Sequence, residues 1–174
     1  MHTADHGDMQ ASQVWEWLAE VSDPEIPVIS VVDLGIVRDV TLGASGPGSC
    51  TVTITPTYSG CPAMEVIAQD IEGALKRHGL RQVTIKTRLS PAWTTDWMSA
   101  AGRENLKGYG IAPPAQQVID ISGILRRSKA EPAVPCPNCG SVHTQVVSQF
   151  GSTSCKALYR CKECLEPFDY FKCH

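Results

Sequence analysis

The chain has 174 residues, with 15 Lys and Arg against 18 Asp and Glu, for a net charge of −3. That balance leaves no electrostatic case for general nucleic-acid binding or for docking on an anionic membrane. Hydrophobic residues make up 43%, too many for a disordered chain, and no run of about 18 apolar residues offers a membrane span.

The first ten residues, MHTADHGDMQ, lack a basic start followed by an apolar run, so they do not read as a secretory signal. Residues 10–21 place Val14, Trp17, Leu18 and Val21 on one helical face. The segment DPEIPV then breaks regular structure, because Pro24 and Pro27 lack a donor and constrain the residues before them. Asp33-Leu34-Gly35 reads as a turn. Residues 36–42 and 50–55 read as strands of a hairpin, joined by a loop containing Gly43, Gly46, Pro47 and Gly48.

From Pro62 onward, Met64, Ile67, Ala68, Ile71 and Leu75 keep a helical period. Gly79 is the expected stop, after Lys76, Arg77 and His78 in the last turn. Residues 82–89 read as a strand. Thr94 or Thr95 caps a third helix running through Leu106 and ended by Gly108 and Gly110. The order α-β-β-α-β-α predicts a small α/β (α+β) domain over residues 1–111, with a mixed sheet of three or four strands. Residues 112–135 carry Pro113, Pro114, Pro132 and Pro135 and read as a linker, with a short strand expected at 118–121. Residues 136–174 are too few to bury a self-sufficient core and need a staple.

The staple is visible. Six of the eight cysteines fall in the last 39 residues, and four of them form two C-x-x-C pairs, Cys136/Cys139 and Cys161/Cys164, 21 residues apart. With no export signal, reduced cytoplasmic thiols on a metal fit better than disulfides. Each pair aims two sulfurs at one ion, and four thiolates close a tetrahedral shell, so the predicted site is structural. Zinc is the expected ion, and the same donors also suit iron or an iron–sulfur cluster. Residues 144–150 and 156–161 look like the strands that join the knuckles, making a C-terminal zinc-ribbon β module. Cys155, Cys173, His143 and His174 lie nearby; packing or idle roles suit them better than ligation.

Cys61 stands apart, in Gly60-Cys61-Pro62 at the start of the second helix. Proline suits the first helical position, which makes Cys61 the expected cap residue, its sulfur near free N–H groups that favour thiolate. Thr57, Tyr58 and Ser59 add hydroxyls, and Gly60 allows close approach. A buried structural cysteine is the competing reading, and Cys50 carries no assigned role. Asp23, Glu25 and Asp33 offer carboxylates for a metal or a partner, against the ordinary alternative of capping turns. No local Cys–His–Asp arrangement supports hydrolysis. Lys156, Arg160, Lys162 and Lys172 interleave with Tyr159, Phe168, Tyr170 and Phe171, a pattern that can bind single strands, but the acidic total and a simple core role weigh against it.

The run DPEIPVISVVDLGIVRDV followed by TPTYSGCPAMEVI resembles the SufT-type domain of iron–sulfur assembly factors, over about residues 12–110. With CPNCG and FGSTSCKALYRCKECLEPFDYFKCH, the chain resembles the PaaD family of phenylacetate-degradation proteins almost end to end. That resemblance implies a non-catalytic accessory role in aerobic phenylacetate catabolism. The partners would be the oxygenase and reductase subunits of a phenylacetyl-CoA epoxidase. Cys61 would be the transfer or docking thiol for transient iron or an iron–sulfur cluster, Asp23, Glu25 and Asp33 would be its acidic boxes, and a homodimer is one way to complete a cluster that one thiol cannot saturate. A non-catalytic scaffold subunit with purely structural zinc is the alternative.

Overall fold

The computed structural model describes residues 10–43, 45–114 and 133–172. The expected strand at 118–121 and the residues Pro132, Cys173 and His174 lie outside them. The element order is α1 (Ala11–Ala19), β1 (Val37–Leu42), β2 (Ser49–Ile54), α2 (Ala63–Arg77), β3 (Gln82–Thr87), a 3-10 turn (Thr95–Trp97), α3 (Ala100–Gly108), β4 (Ile111–Ala112), β5 (Thr144–Ser148), β6 (Lys156–Cys161) and β7 (Pro167–Phe171). The chain is therefore a mixed α/β protein, as its periodicities predict.

The first unit carries a three-stranded sheet in the order β1-β2-β3. β1 and β2 form the expected antiparallel hairpin, and β2 pairs with β3 in parallel. Parallel neighbours need a crossover, and α2 supplies it. Its apolar stripe, Ile67, Ile71 and Leu75, is fully buried, as are Val14 and Leu18 of α1. Cys50, Val52 and Ile54 of β2 are buried with them, since alternate residues share a face. Gly79 ends α2 with φ 96°, a conformation that costs glycine little.

Between α1 and β1, residues 21–31 fold back on themselves. A Ser22–Ser30 bridge and the Val31 N–H on the Val21 carbonyl at 2.9 Å close the base of this excursion. Inside it, Asp23 Oδ1 accepts from the Glu25 and Ile26 N–H groups, both at 2.8 Å. The prolines forbid helix or strand here, so a buried carboxylate takes up the stranded amides.

Two expectations change. The predicted third helix is split: Thr94 caps the 3-10 turn by accepting from Asp96 N–H, and Ser99 caps α3 by accepting from Gly102 N–H. The compact units also divide between Trp93 and Thr94, where the sequence placed a boundary at 111/112. The reason is strand pairing. β4 lies parallel beside β7, in a second sheet ordered β4-β7-β6-β5, so the chain from Thr94 onward folds with the ribbon. Within this unit, Arg103 clamps the approach to β4 through the Thr95 carbonyl at 2.6 Å and the Pro114 carbonyl at 2.8 Å.

Ile71 is fully buried, so Ile71→Ala should cost about 2–5 kcal/mol through lost transfer energy and a cavity. A fall in the urea midpoint of the helical far-ultraviolet signal checks it; an unchanged midpoint contradicts this packing.

Candidate functional site

The metal centre is built by two knuckles of the same design. In the first, Cys136 N–H donates to the Ser141 carbonyl at 2.9 Å; in the second, Cys161 N–H donates to the Glu166 carbonyl at 3.0 Å. Each turn passes through positive φ just after its second cysteine, at Gly140 (75°) and at Leu165 (67°). Glycine is the expected residue for such a turn; Leu165 is not, and no sequence signal pointed to its strain. The hairpin β5–β6 joins the knuckles in antiparallel register from Thr144↔Cys161. The four sulfurs lie within 4.8 Å of one another, with Cys136–Cys164 at 3.7 Å and Cys139–Cys161 at 3.6 Å. Sulfurs bound tetrahedrally at about 2.3 Å from one zinc stand about 3.8 Å apart, so the donor set fits that ion. The Cys164 and Glu163 amides and the neighbouring thiols hold the Cys161 thiol down at about 6, against the burial that opposes ionisation. Amides aimed at sulfur are what a bound thiolate needs.

Under the knuckles lies a small core of Ala112, Val134, Ala157, Phe168 and Tyr170 with two of the ligand cysteines. Tyr159 stacks on its edge against Phe168 and Tyr170. The aromatic residues are thus largely used for packing. Lys156 is buried and paired with Asp169 at 3.6 Å. This removes most of the aromatic surface that a single-strand binder would present. Cys155 is buried against the Thr153 hydroxyl and lies outside the four-sulfur cluster. His143 is paired with Glu163 at 2.8 Å and is not a ligand.

Cys61 sits in the other unit, where β2 gives way to α2. Pro62 takes the cap position with helical angles (−68°, −23°), one residue later than expected. Cys61 still does part of a cap's work, because Ala63 N–H donates to its sulfur and the Tyr58 hydroxyl adds a second bond. Gly60, at φ 87°, makes the bend. The expected lowered pKa is corrected. Burial pushes the Cys61 thiol up; the Ala63 and Tyr58 bonds oppose this, and the charges of Glu25 and Asp23 add to the rise. Desolvation and two nearby carboxylates outweigh one helix end. The sequence-predicted acids therefore divide. The charges of Asp23 and Glu25 act on Cys61, whereas Asp33 accepts the Ser30 hydroxyl at 2.8 Å. Thr57 is buried, while Ser59 and Gly60 are exposed at the loop's tip.

The two sites are separable by experiment. Replacing Cys136 by Ser should release the zinc and melt the ribbon, because metal binding there is folding free energy, about 10 kcal/mol in small zinc peptides. Metal analysis and the near-ultraviolet signal of the ribbon tyrosines check it; full zinc retention contradicts it. At the other site, the pH–rate curve for alkylation of Cys61, followed by mass spectrometry, should have its midpoint above that of an ordinary thiol. Glu25→Gln should move that midpoint down, since removing a negative charge eases ionisation. An upward or absent movement contradicts the assigned electrostatics.

Comparison with known proteins agrees with both halves. Residues 11–86 match the family model described as iron–sulfur cluster assembly protein, and residues 122–172 match that of the PaaD zinc beta ribbon domain. The chain is 49% identical over 164 residues to a "Putative 1,2-phenylacetyl-CoA epoxidase" subunit of Escherichia coli (strain K12), covering 94% of this chain and 93% of that one. It is 41% identical over 83 residues to an Fe-S protein maturation auxiliary factor of Porphyromonas gingivalis (strain ATCC BAA-308 / W83), covering 47% of this chain and 76% of that one. A crystal structure of the Domain of Unknown Function DUF59 from Bacillus anthracis superposes with a TM-score of 0.50 at 27% identity, over 55% of this chain and 89% of that one. An assembly-type α/β unit followed by a four-thiolate ribbon, matched nearly end to end by such a relative, places this chain in the PaaD family.

Proposed function

We propose that the chain is a non-catalytic accessory protein of a multicomponent phenylacetyl-CoA epoxidase. It acts in the cytoplasm and helps mature the iron–sulfur or di-iron centres of the oxygenase and reductase subunits through Cys61. The observation that carries this reading is a half-buried thiol held at a strand-to-helix turn by Ala63 and Tyr58, with the carboxylates of Asp23 and Glu25 close by. It lies in the unit related to a maturation auxiliary factor.

The electrostatics have a chemical consequence. Negative neighbours disfavour thiolate while the site holds no cation, and they attract a cation when one arrives. Iron cargo would therefore exchange for the thiol proton, giving affinity that rises with pH. Cys61 is one ligand and cannot saturate a cluster, so a client ligand or a second copy of the chain completes the shell during transfer. Zinc in the ribbon takes no part in transfer, since four thiolates leave it no open position. Among the described residues no helix is long and apolar enough to cross a membrane.

The raised thiol favours a second reading, in which Cys61 is structural and the chain is a scaffold subunit. Co-expressing the oxygenase with the wild-type chain, with Cys61→Ser or with no copy separates the two. Maturation predicts an iron-poor, inactive oxygenase with the variant, as with no copy. Full iron and epoxidation with Cys61→Ser would establish the scaffold reading.

A further inference from the structure

The second sheet ends on an open edge. β5 is its last strand, and among the described residues no other strand lies on its outer side. Thr144 stands opposite Cys161, and the His143 carbonyl accepts from Lys162 N–H at 2.8 Å, so His143 and Gln145 turn their backbone groups towards β6. Backbone direction alternates along an antiparallel strand, and Val146 therefore turns its N–H and C=O to the open edge. Natural edges are blunted by charges, by proline or by a bulge. The run 142–150, VHTQVVSQF, carries no Lys, Arg, Asp, Glu or Pro. Only the bulge between Val146 and Ser148 is present. The same run carries exposed apolar side chains at Val142 (54%), Val146 (37%), Val147 (55%) and Phe150 (69%).

An unblunted edge accepts a further strand, and the order of residues says which. Reversed and laid against itself about Val146, the run nearly repeats its own pattern. Val142 falls opposite Phe150, His143 opposite Gln149, Thr144 opposite Ser148 and Val146 opposite itself. Gln145 opposite Val147 is the unlike pair, and it falls where the bulge lies. Aromatic–β-branched and hydroxyl–hydroxyl pairs are stabilising cross-strand combinations. A two-fold interface is the arrangement that demands such self-complementarity. Charge agrees with it. At one end of the run His143 is paired with Glu163 at 2.8 Å. At the other end Lys172 donates from Nζ to the Gln149 carbonyl at 3.2 Å and lies 4.8 Å from the centre of the Phe150 ring. The two-fold register sets His143 opposite Gln149 of the second copy, so the end that carries Glu163 meets the end that carries Lys172, twice over.

We propose that the ribbon is a self-association surface, in which β5 pairs antiparallel with β5 of a second copy about Val146. The two four-stranded sheets then run on as one. β5 has five residues, well short of the roughly 20–30 a side of a standard interface, so the dimer is weak and forms as concentration rises. The surface belongs to the ribbon alone and stands whatever role Cys61 has.

The test is sedimentation velocity of the full zinc-loaded chain over a concentration series. A dimer fraction that rises across the roughly micromolar to millimolar range is expected. Val146→Lys sets two like charges face to face on the axis and should weaken the dimer about tenfold or more, with unchanged zinc content showing that the ribbon has folded. Glu163→Lys and Lys172→Glu should each weaken it alone. An equimolar mixture of those two variants should dimerise as the wild type does, because opposite charges meet again only in the mixed pair. A monomer at every concentration leaves the edge to a strand of some other protein and overturns the proposal. So does a dimer indifferent to Val146→Lys, or a mixture that associates no better than its parts.

Discussion

The parallel pairing of β2 with β3 is the constraint from which the first unit follows. Two parallel neighbours cannot be joined by a turn, so the chain must cross over, and α2 is that crossover. The crossover fixes where α2 begins: just past the end of β2, after an eight-residue run from Thr55 to Pro62. Everything of chemical interest in this unit gathers there. The thiol sits at the helix start, and the 21–31 excursion carries Asp23 and Glu25, whose charges act on it.

The second unit depends on a different interaction. Its core is small, and two of its seven buried members are ligand cysteines. Packing and coordination are therefore one system: β6 ends on Cys161, β5 begins opposite it, and the ion closes both knuckles at once. β4 adds one short parallel strand on the β7 side of the sheet, which is why α3 and the 3-10 turn fold with the ribbon. The cost of Leu165 at positive φ falls within a turn already locked by the Cys161–Glu166 bond and by Arg160 Nε on the Leu165 carbonyl at 3.1 Å.

Much of this is legible in the chain. Period and punctuation locate α1, α2, the hairpin, β3 and the first two ribbon strands, β5 and β6, whereas β7 has no reading in the sequence. Spacing alone names the four metal ligands, since C-x-x-C has few other uses in a reduced protein. What is not legible depends on long-range pairing. β4 is two residues long and gains its meaning only from β7, so the boundary near residue 93 has no local signal. Ser99 divides the expected third helix, because a second cap inside an apparent helix looks like an ordinary polar residue. The direction of the Cys61 shift is hidden for the same reason. The helix end is visible in Cys61-Pro62, whereas the burial and the approach of Asp23 and Glu25, some 36 to 38 residues earlier in the chain, emerge only on folding.

The central claim is a division of labour, with structural zinc in the ribbon and exchangeable iron at Cys61. Metal analysis of the purified chain combined with iron-57 Mössbauer spectroscopy, for wild type and Cys61→Ser loaded anaerobically with ferrous iron and sulfide, tests it most directly. The account predicts one zinc per chain in both proteins, matching the one four-sulfur cluster among the described residues, and bound iron in the wild type alone. Equal iron in the Cys61→Ser protein, or iron gained only as zinc is lost, would place the exchangeable metal in the ribbon and contradict it.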